Sequence, residues 1–474
     1  MTDPDAGPQP GHLEPGSLVA GYRIDEMIGR GGMGMVYRAT SLQHGRVYAV
    51  KVLAPEVAGN ETYRQRFRRE MRVAASLRHP HVVAVRHAEE HDGLLLLVMD
   101  FIDGTDLESV LRKSGSIEAD RATELLAQVA SGLDAAHARG LVHRDVKPGN
   151  ILIATRDGVE HAYVTDFGLA KRFDRGPSIT ALTKTGVVVG TVDYMSPEQI
   201  TGRRTDGRAD IYSLGCMYYE MLTGTVPYGR TNTLMATLYS HVNEPFPSLP
   251  GRLSDLNPEL ADVIQHATAK NPDNRYFSAG EFADDALRAL RGSRAGRTGT
   301  LSPISTSRQD PAATMRRSSS HETRKVVSVL CCGFTPSTSL GEQDDPALVD
   351  DVTDRCFVEV RAAIGRHGGV VDTAIADEVI AVFGISRARE DDALRAVRAA
   401  AEIRERLGAV AEEAAVAVRF RAGVDTGRVL AGGEQSVAAG GPVDAAVSLL
   451  MQADGGDILL TSETLRLVRA AAEV

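Results

Sequence analysis

Apolar and polar positions follow two rhythms along this 474-residue chain. Val47-Tyr48-Ala49-Val50-Lys51 is an apolar run ending in a cation, and Leu94 to Met99 is an unbroken run of large apolar side chains. Runs of that length predict strands. Phe67 to Met71 is charged and reads as a helix, whereas Ile211 to Leu222 is largely apolar and reads as an apolar one, opened by Asp210. From Arg291 to Lys325 the pattern lapses into Ser, Thr, Gly and Arg. Such a stretch buries too little surface to offset the entropy of ordering, so it predicts a flexible linker.

Periodicity returns at Val326. Val326 to Leu330 predicts a buried strand; Val349, Val352, Cys356, Val360 and Ile364 recur at helical spacing; Val370 to Phe383 predicts a hairpin. Ala393 to Leu407 predicts a second helix, Val416 to Val424 a strand, and Ile458 to Val468 a strand and helix. Strand, helix, two strands, helix, strand is the order of a ferredoxin-like α/β sandwich. The organisation predicted is a disordered leader over 1–17, a mixed strand-and-helix unit over 18–290, the linker over 291–325 and a second domain over 326–474. The fold class is α+β.

Composition narrows the setting. The chain is 43% hydrophobic and 24% charged, with a formal net charge of -10, which speaks against coating nucleic acid or an anionic membrane. Leu94 to Met99 is far short of a membrane span. Met1 to Ser17 has neither a basic start nor an apolar stretch, so no secretory signal is expected. Cys216, Cys331, Cys332 and Cys356 are too few and too scattered for a disulfide framework. The expected compartment is the cytoplasm.

Chemistry is concentrated in His143-Arg144-Asp145-Val146-Lys147-Pro148-Gly149-Asn150, followed sixteen residues after Asn150 by Asp166-Phe167-Gly168. That order provides a proton-accepting carboxylate, a phosphate-binding lysine and two metal ligands, the parts that phosphoryl transfer to a hydroxyl requires. Upstream, Gly29-Arg30-Gly31-Gly32-Met33-Gly34-Met35-Val36 lies between two predicted strands. Glycines there let the backbone approach phosphates, although a glycine-rich hairpin alone is weak evidence. Lys51 ends its strand, and Glu70 on the charged helix is placed to pair with it and hold it against the α- and β-phosphates; the alternatives are a solvated strand end and an exposed glutamate.

On these motifs, residues from about Leu18 to Leu290 resemble the bacterial Ser/Thr protein kinases of the eukaryotic-like, or Hanks, type. The resemblance implies a two-lobed kinase fold and a signalling enzyme that uses ATP with Mg²⁺ or Mn²⁺ to phosphorylate protein substrates. It implies Asp145 as proton acceptor, Lys147 as γ-phosphate neutraliser, and Asn150 and Asp166 as metal ligands. Ile28, Gly29, Gly31, Gly34, Val36, Ala49, Lys51, Met99, Asp100 and Ile102 then surround the nucleotide, with Met99 behind the adenine and Asp100 to Ile102 as hinge. Glu198 of Ser196-Pro197-Glu198 is matched to Arg275, and Asp210 to the backbone of the catalytic loop. Of Thr180, Thr183, Thr185 and Thr191, the pair Thr183 and Thr185 corresponds to autophosphorylation sites, where Arg144 can neutralise a phosphate, and Thr191 to a brace for Asp145 and Lys147. Arg316-Arg317-Ser318-Ser319-Ser320 makes the linker a candidate substrate.

The chain from Arg324 onward resembles class III nucleotide cyclases, through Arg324 to Leu330, His367 to Asp372, Ala381 to Gly384, Glu390 to Ala396 and Gly423 to Gly427. Asp377 matches one metal aspartate, but Gly333 stands where the other belongs. Thr373 and Val437 replace the base-selecting pair, and Asp444 and Ser448 the transition-state asparagine and arginine. A site without its second carboxylate and cationic clamp is expected to be inactive. The chain stops at Val474, soon after a predicted helix, where cyclase domains usually continue: either this is a natural truncation or the edge is left open. An open edge favours pairing with another chain, so a non-catalytic regulatory module is expected, for homodimerisation or ligand sensing, with substrate docking next. No nucleic-acid partner or membrane span is expected. The alternatives are a bifunctional kinase and cyclase, against which Gly333, Asp444 and Ser448 argue, and a pseudokinase scaffold, against which Lys51, Glu70, Asp145, Asn150 and Asp166 argue.

Overall fold

The computed structural model describes residues 13–31, 34–53, 71–91, 93–167, 192–229, 234–250, 258–297, 323–337, 346–375, 377–385, 387–431, 437–438, 441–469 and 471. Its first sheet contains β1 (Leu18–Val19), β2 (Tyr22–Gly31), β3 (Gly34–Ser41), β4 (Val47–Leu53), β5 (Val85–His91) and β6 (Leu94–Asp100), in the order β1-β2-β3-β4-β6-β5 and antiparallel throughout. The two apolar runs thus become neighbours. Strand β6 is apolar without a break because both faces are covered: Leu95, Leu97 and Met99 join one core, Leu96 and Val98 another. Residues 13–17, which the sequence assigned to the leader, are tied to this sheet. The amide of Gly16 donates to Ile24 O at 2.8 Å, that of Ile24 to Ser17 O at 2.9 Å and that of Leu13 to Tyr37 Oη at 3.0 Å. Backbone groups beside the sheet edge need partners, and this segment supplies them.

The helical lobe follows with β7 (Thr105–Asp106), α1 (Leu107–Ser114), α2 (Ala119–His137), β8 (Ile151–Arg156), β9 (Val159–Val164), α3 (Pro197–Ile200), α4 (Gly207–Thr223), α5 (Leu234–Asn243), α6 (Pro258–Ala267) and α7 (Ala279–Arg297). Strands β7, β8 and β9 form a small sheet beside α2. Helix α4 is the predicted apolar one: every residue from Ala209 to Tyr219 is buried, Asp206 caps its start and Gly224, at φ 75°, ends it. Helix α7 runs beyond Leu290 to Arg297, into the expected linker, although the added turns include Gly292, Ser293 and Gly296. Arg275 clasps Glu198 at 2.7 and 2.8 Å with both side chains buried, and its remaining donors reach Ala269 O, Arg208 O and Lys270 O. A buried ion pair is tolerable only when satisfied in this way.

The second domain comprises β10 (Thr323–Ser337), α8 (Pro346–Arg366), β11 (Val370–Ile375), β12 (Glu378–Phe383), α9 (Asp392–Ala414), β13 (Ala417–Ala431), β14 (Val437–Ala438), α10 (Gly441–Gln452), β15 (Ile458–Leu460) and α11 (Ser462–Val468). Its sheet runs β11-β12-β10-β13-β14, with β15 parallel to β13. The predicted strands at Val326 and Val416 are longer than expected; β10 and β13 pair over their full length. Leu330, Cys332 and Phe334 of β10 face a core shared with α8 and α9. Val327, Val329 and Cys331 face the other way, into a cluster that includes α10 and also Leu238 and Tyr239 of α5. Gly333 pairs with Glu378, whose Cγ lies 3.2 Å from where a Cβ on the glycine would stand. Glu378 is 1% exposed, and burial, aided by the neighbouring Asp377, pushes its carboxyl up to about 8. All four cysteines are buried and free. Among the described residues no helix is long and apolar enough to cross a membrane.

Helices α2 and α4 are tied by His137 Nε2 and Asp210 Oδ2, 2.6 Å apart. Burial pulls the imidazole pKa down, but the hydrogen bond and charge of Asp210 outweigh it and raise the value above that of a free histidine. A group whose folded pKa is raised contributes stability that is present below its unfolded pKa and lost as pH rises through the folded one. The destabilisation caused by His137→Gln therefore shrinks as pH goes from about 6 to about 9. Denaturant unfolding of both proteins at the two pH values checks this; a pH-independent difference contradicts it.

Candidate active site

The β2–β3 hairpin carries the glycines, with Gly31 opposite Gly34 and Gly29 opposite Val36. Gly34 has φ 140°, and a Cβ there would stand 1.9 Å from Val52 O, so no other residue fits. The tip, residues 32–33, lies outside the described residues. Register places Lys51 opposite Val36 on one side and Leu97 on the other, and Ala49 opposite Met99. Ala49, Lys51 and Met99 thus share one face of the sheet, as strand periodicity requires. Met99 lines a cavity with Val83, Val85, Leu97, Asp166 and Phe167. The Asp100 carboxylate is held by Arg86 at 2.6 and 2.5 Å, so its side chain serves the sheet, not a ligand. Ile102 is half-buried and Ile28 exposed.

The opposite wall is the loop from His143 to Asn150. Lys147 Nζ lies 2.9 Å from Asp145 Oδ2, and Asn150 Nδ2 donates to the same oxygen at 2.9 Å and to Asp145 O at 2.7 Å. Both side-chain contacts use Oδ2, which leaves Oδ1 as the oxygen able to accept a proton. Lys51 Nζ reaches across the cleft to Asp166 Oδ1 at 2.9 Å. Burial would raise the Asp166 pKa, but the charge and hydrogen bond of Lys51, with His143 and Lys147 behind them, hold it below the usual carboxylate value. Asp166 is therefore an anion at neutral pH.

Arg144 and Asp166 both have positive φ, 65° and 64°. Such strain persists only where the surroundings enforce it. Asp210 accepts the backbone N–H groups of His143 at 2.8 Å and Arg144 at 2.7 Å. His143, fully buried, donates Nε2–H to Thr165 O at 2.8 Å, accepts the Asp145 amide on Nδ1 at 3.2 Å and packs edge-on against Phe167 at 4.7 Å. One imidazole thus joins the two halves of the motif pair. Gln199 Nε2 donates to Arg144 O at 2.8 Å, connecting α3 to the same loop. Asp210 was legible in the sequence, and His143 as a member of the motif though not its bracing role; the bracing by His137 and Gln199 was not, because nothing in their local pattern sets them apart.

The sequence-predicted Lys51, Asp145, Lys147, Asn150 and Asp166 come together around one cleft. Glu70 and Gly168 lie outside the described residues, as do Thr180, Thr183, Thr185 and Thr191. The predicted Lys51–Glu70 pair therefore has no description, and the described partner of Lys51 is Asp166. No group of three or more His, Cys, Asp and Glu side chains is placed to hold a metal among the described residues. A carboxylate and an amide oxygen can still take part in binding a hard cation that keeps water and phosphate ligands. Asp166 is ionised, and the bonds from Asn150 Nδ2 to Asp145 leave Oδ1 of Asn150 without a donor among the described residues. These two residues fit Mg²⁺.

A family profile described as protein kinase domain matches residues 22–286. The serine/threonine-protein kinase PknJ of Mycobacterium tuberculosis is 42% identical over 282 residues, which cover 59% of this chain and 47% of PknJ. PknD of the same species is 41% identical over 279 residues, 58% of this chain and 40% of PknD. The chain thus spans about half the length of these relatives. The crystal structure of the M. tuberculosis PknI kinase domain is 32% identical, covers 59% of this chain and 100% of that domain, and has a TM-score of 0.48. The profile runs over more than half of the chain and through both walls of the cleft, and on that ground the chain belongs to the protein kinase family.

Proposed function

We propose that this chain transfers the γ-phosphoryl group of ATP to Ser and Thr hydroxyls of proteins. The observation that carries the reading is the fixed Asp145, oriented through Oδ2 by Lys147 and Asn150 and facing a cleft closed by the Lys51–Asp166 pair. ATP would bring the phosphoryl group, and Asn150 and Asp166 would hold a Mg²⁺ ion, which when bound would supply neutralisation of the phosphate charge. Lys51 and the glycines at 29, 31 and 34 bind the phosphates, and Val36, Ala49, Met99 and the backbone of Asp100 to Ile102 border the base. Asp145 accepts the hydroxyl proton as the new O–P bond forms and the bond to the β-phosphate oxygen breaks. Lys147 stabilises the transferring group by its charge. Autophosphorylation at Thr183 and Thr185 belongs to the same reading, since Arg144 beside Asp145 can pair with a phosphothreonine.

The second domain is proposed to be a regulatory module of the cyclase type. In favour stand the βαββαβ order and the strand sequence β11-β12-β10-β13, which is that of a ferredoxin-like sandwich. The bifunctional reading gains one point that the sequence did not reveal, because Glu378 beside Asp377 reaches the space a side chain at Gly333 would fill. Asp444 and Ser448 still supply no cationic clamp, so the module is proposed to be non-catalytic. Pairing of two copies remains part of this proposal: among the described residues β11 has no strand on its outer side.

Incubated with γ-labelled ATP, Mg²⁺ and a basic protein substrate, the chain is expected to label the substrate and its own Thr183 and Thr185, located by mass spectrometry. Asp145→Asn lowers the rate roughly 10²- to 10⁴-fold; undiminished labelling by that variant contradicts the mechanism. With ATP or GTP and Mn²⁺, cyclic nucleotide is expected at the level of an Asp377→Ala control, and any excess over that control restores the bifunctional reading.

A further inference from the structure

The apolar cluster on the α10 side of the second sheet is not closed by that domain alone. Part of the face is covered by α10, which passes so close to β13 that a Cβ on Gly423 would stand 2.2 Å from Ala446 O. The kinase lobe enters the same cluster: Leu238 and Tyr239 of α5 belong to it, with Val192, Met195 and Ile200, and α5 packs against α10. Leu238 is fully buried and Tyr239 is 2% exposed.

Polar contacts fix the register of this packing. Tyr239 Oη donates to Asp372 Oδ2 at 2.8 Å, and Asn243 Nδ2 donates to Thr373 Oγ1 at 2.6 Å. Adjacent residues of a regular strand point to opposite faces, so Asp372 and Thr373 should not both reach α5. They do because β11 carries a bulge between Val371 and Thr373, and a bulge re-aims side chains in this way. Tyr239 and Asn243 are one helical turn apart and present their polar ends to that bulge.

The covered kinase surface adjoins the reaction centre. Residues 192–200 are hydrogen bonded to the catalytic loop through Gln199 and Arg144, one residue from Asp145, and α5 packs on that segment. A hydroxyl that gives its proton to Asp145 must come within about 3 Å of it. The chain flanking that hydroxyl, at about 3.3 Å per residue, then crosses this surface within a few residues. The nucleotide cleft lies between the lobes and is not covered by this contact.

We infer that the second domain is an intrachain cap, seated on α5 and residues 192–200, which competes with protein substrates for that surface and leaves ATP access unchanged. The inference rests on the kinase reading, and the committed occupant of the sheet face is this chain's own kinase lobe. Thr373→Lys places a long cation against Asn243, and Tyr239→Phe removes only the hydroxyl bonded to Asp372.

The wild-type chain, Thr373→Lys and Tyr239→Phe are compared by steady-state phosphorylation of myelin basic protein and by amide hydrogen exchange. Opening the cap by loss of these side-chain contacts is expected to raise kcat/KM for the protein about tenfold in Thr373→Lys and less in Tyr239→Phe. KM for ATP stays the same, and exchange quickens in α5 and in residues 192–200. Unchanged or lowered kcat/KM in both variants, with thermal unfolding like that of wild type, overturns the inference. If no variant transfers phosphate, the kinase reading fails instead, and exchange still decides the docking: faster exchange in the variants supports the contact, and identical exchange overturns it.

Discussion

The buried carboxylate of Asp210 is the constraint on which the catalytic arrangement depends. It takes two backbone amides from a loop whose Arg144 has a positive φ, and it holds the His137 ring at the end of α2. Burial alone would raise its pKa, but the His137 hydrogen bond and charge, with His143 adding, keep it ionised. A charged acceptor in a low-dielectric interior binds amides more strongly than a neutral one, which is what a strained loop needs. Asp145, Lys147 and Asn150 take their mutual distances from that loop. His143 then carries the constraint on to Thr165 and Phe167 on either side of Asp166.

Much of this was legible in the sequence, because phosphoryl transfer fixes both residue types and spacings. His143 to Asn150 and Asp166 to Gly168 named the cleft before any fold was known, and the apolar runs at Val47 and Leu94 located the strands that carry Lys51 and Met99. Element ends were less legible. The helix ending at Arg297 and the strand starting at Thr323 both intrude on the expected linker, since composition reports the capacity to bury surface rather than the end of a hydrogen-bond ladder. Asp100 illustrates a second limit: a sequence places a residue on a hinge but does not say that Arg86 will take its side chain.

The contact between the two domains was illegible for a related reason. Leu238 and Tyr239 belong to no motif in the sequence, and only the fold reveals that the core they enter belongs largely to the other domain. The bulge at Asp372 reverses the facing that alternation assigns. Glu378 likewise reads as a strand end until the register sets it against Gly333. Pattern specifies each domain's interior well. Which exposed stripe meets which partner is a matter of shape.

The central claim is that one cleft binds a metal–nucleotide complex through Asp166 and Asn150. Calorimetric titration of the full chain with a non-hydrolysable ATP analogue, with and without Mg²⁺, tests it most directly. The account predicts one site per chain whose affinity depends on Mg²⁺ and loses that dependence in Asp166→Asn. Binding of equal strength with and without the metal, or no binding at all, would contradict it.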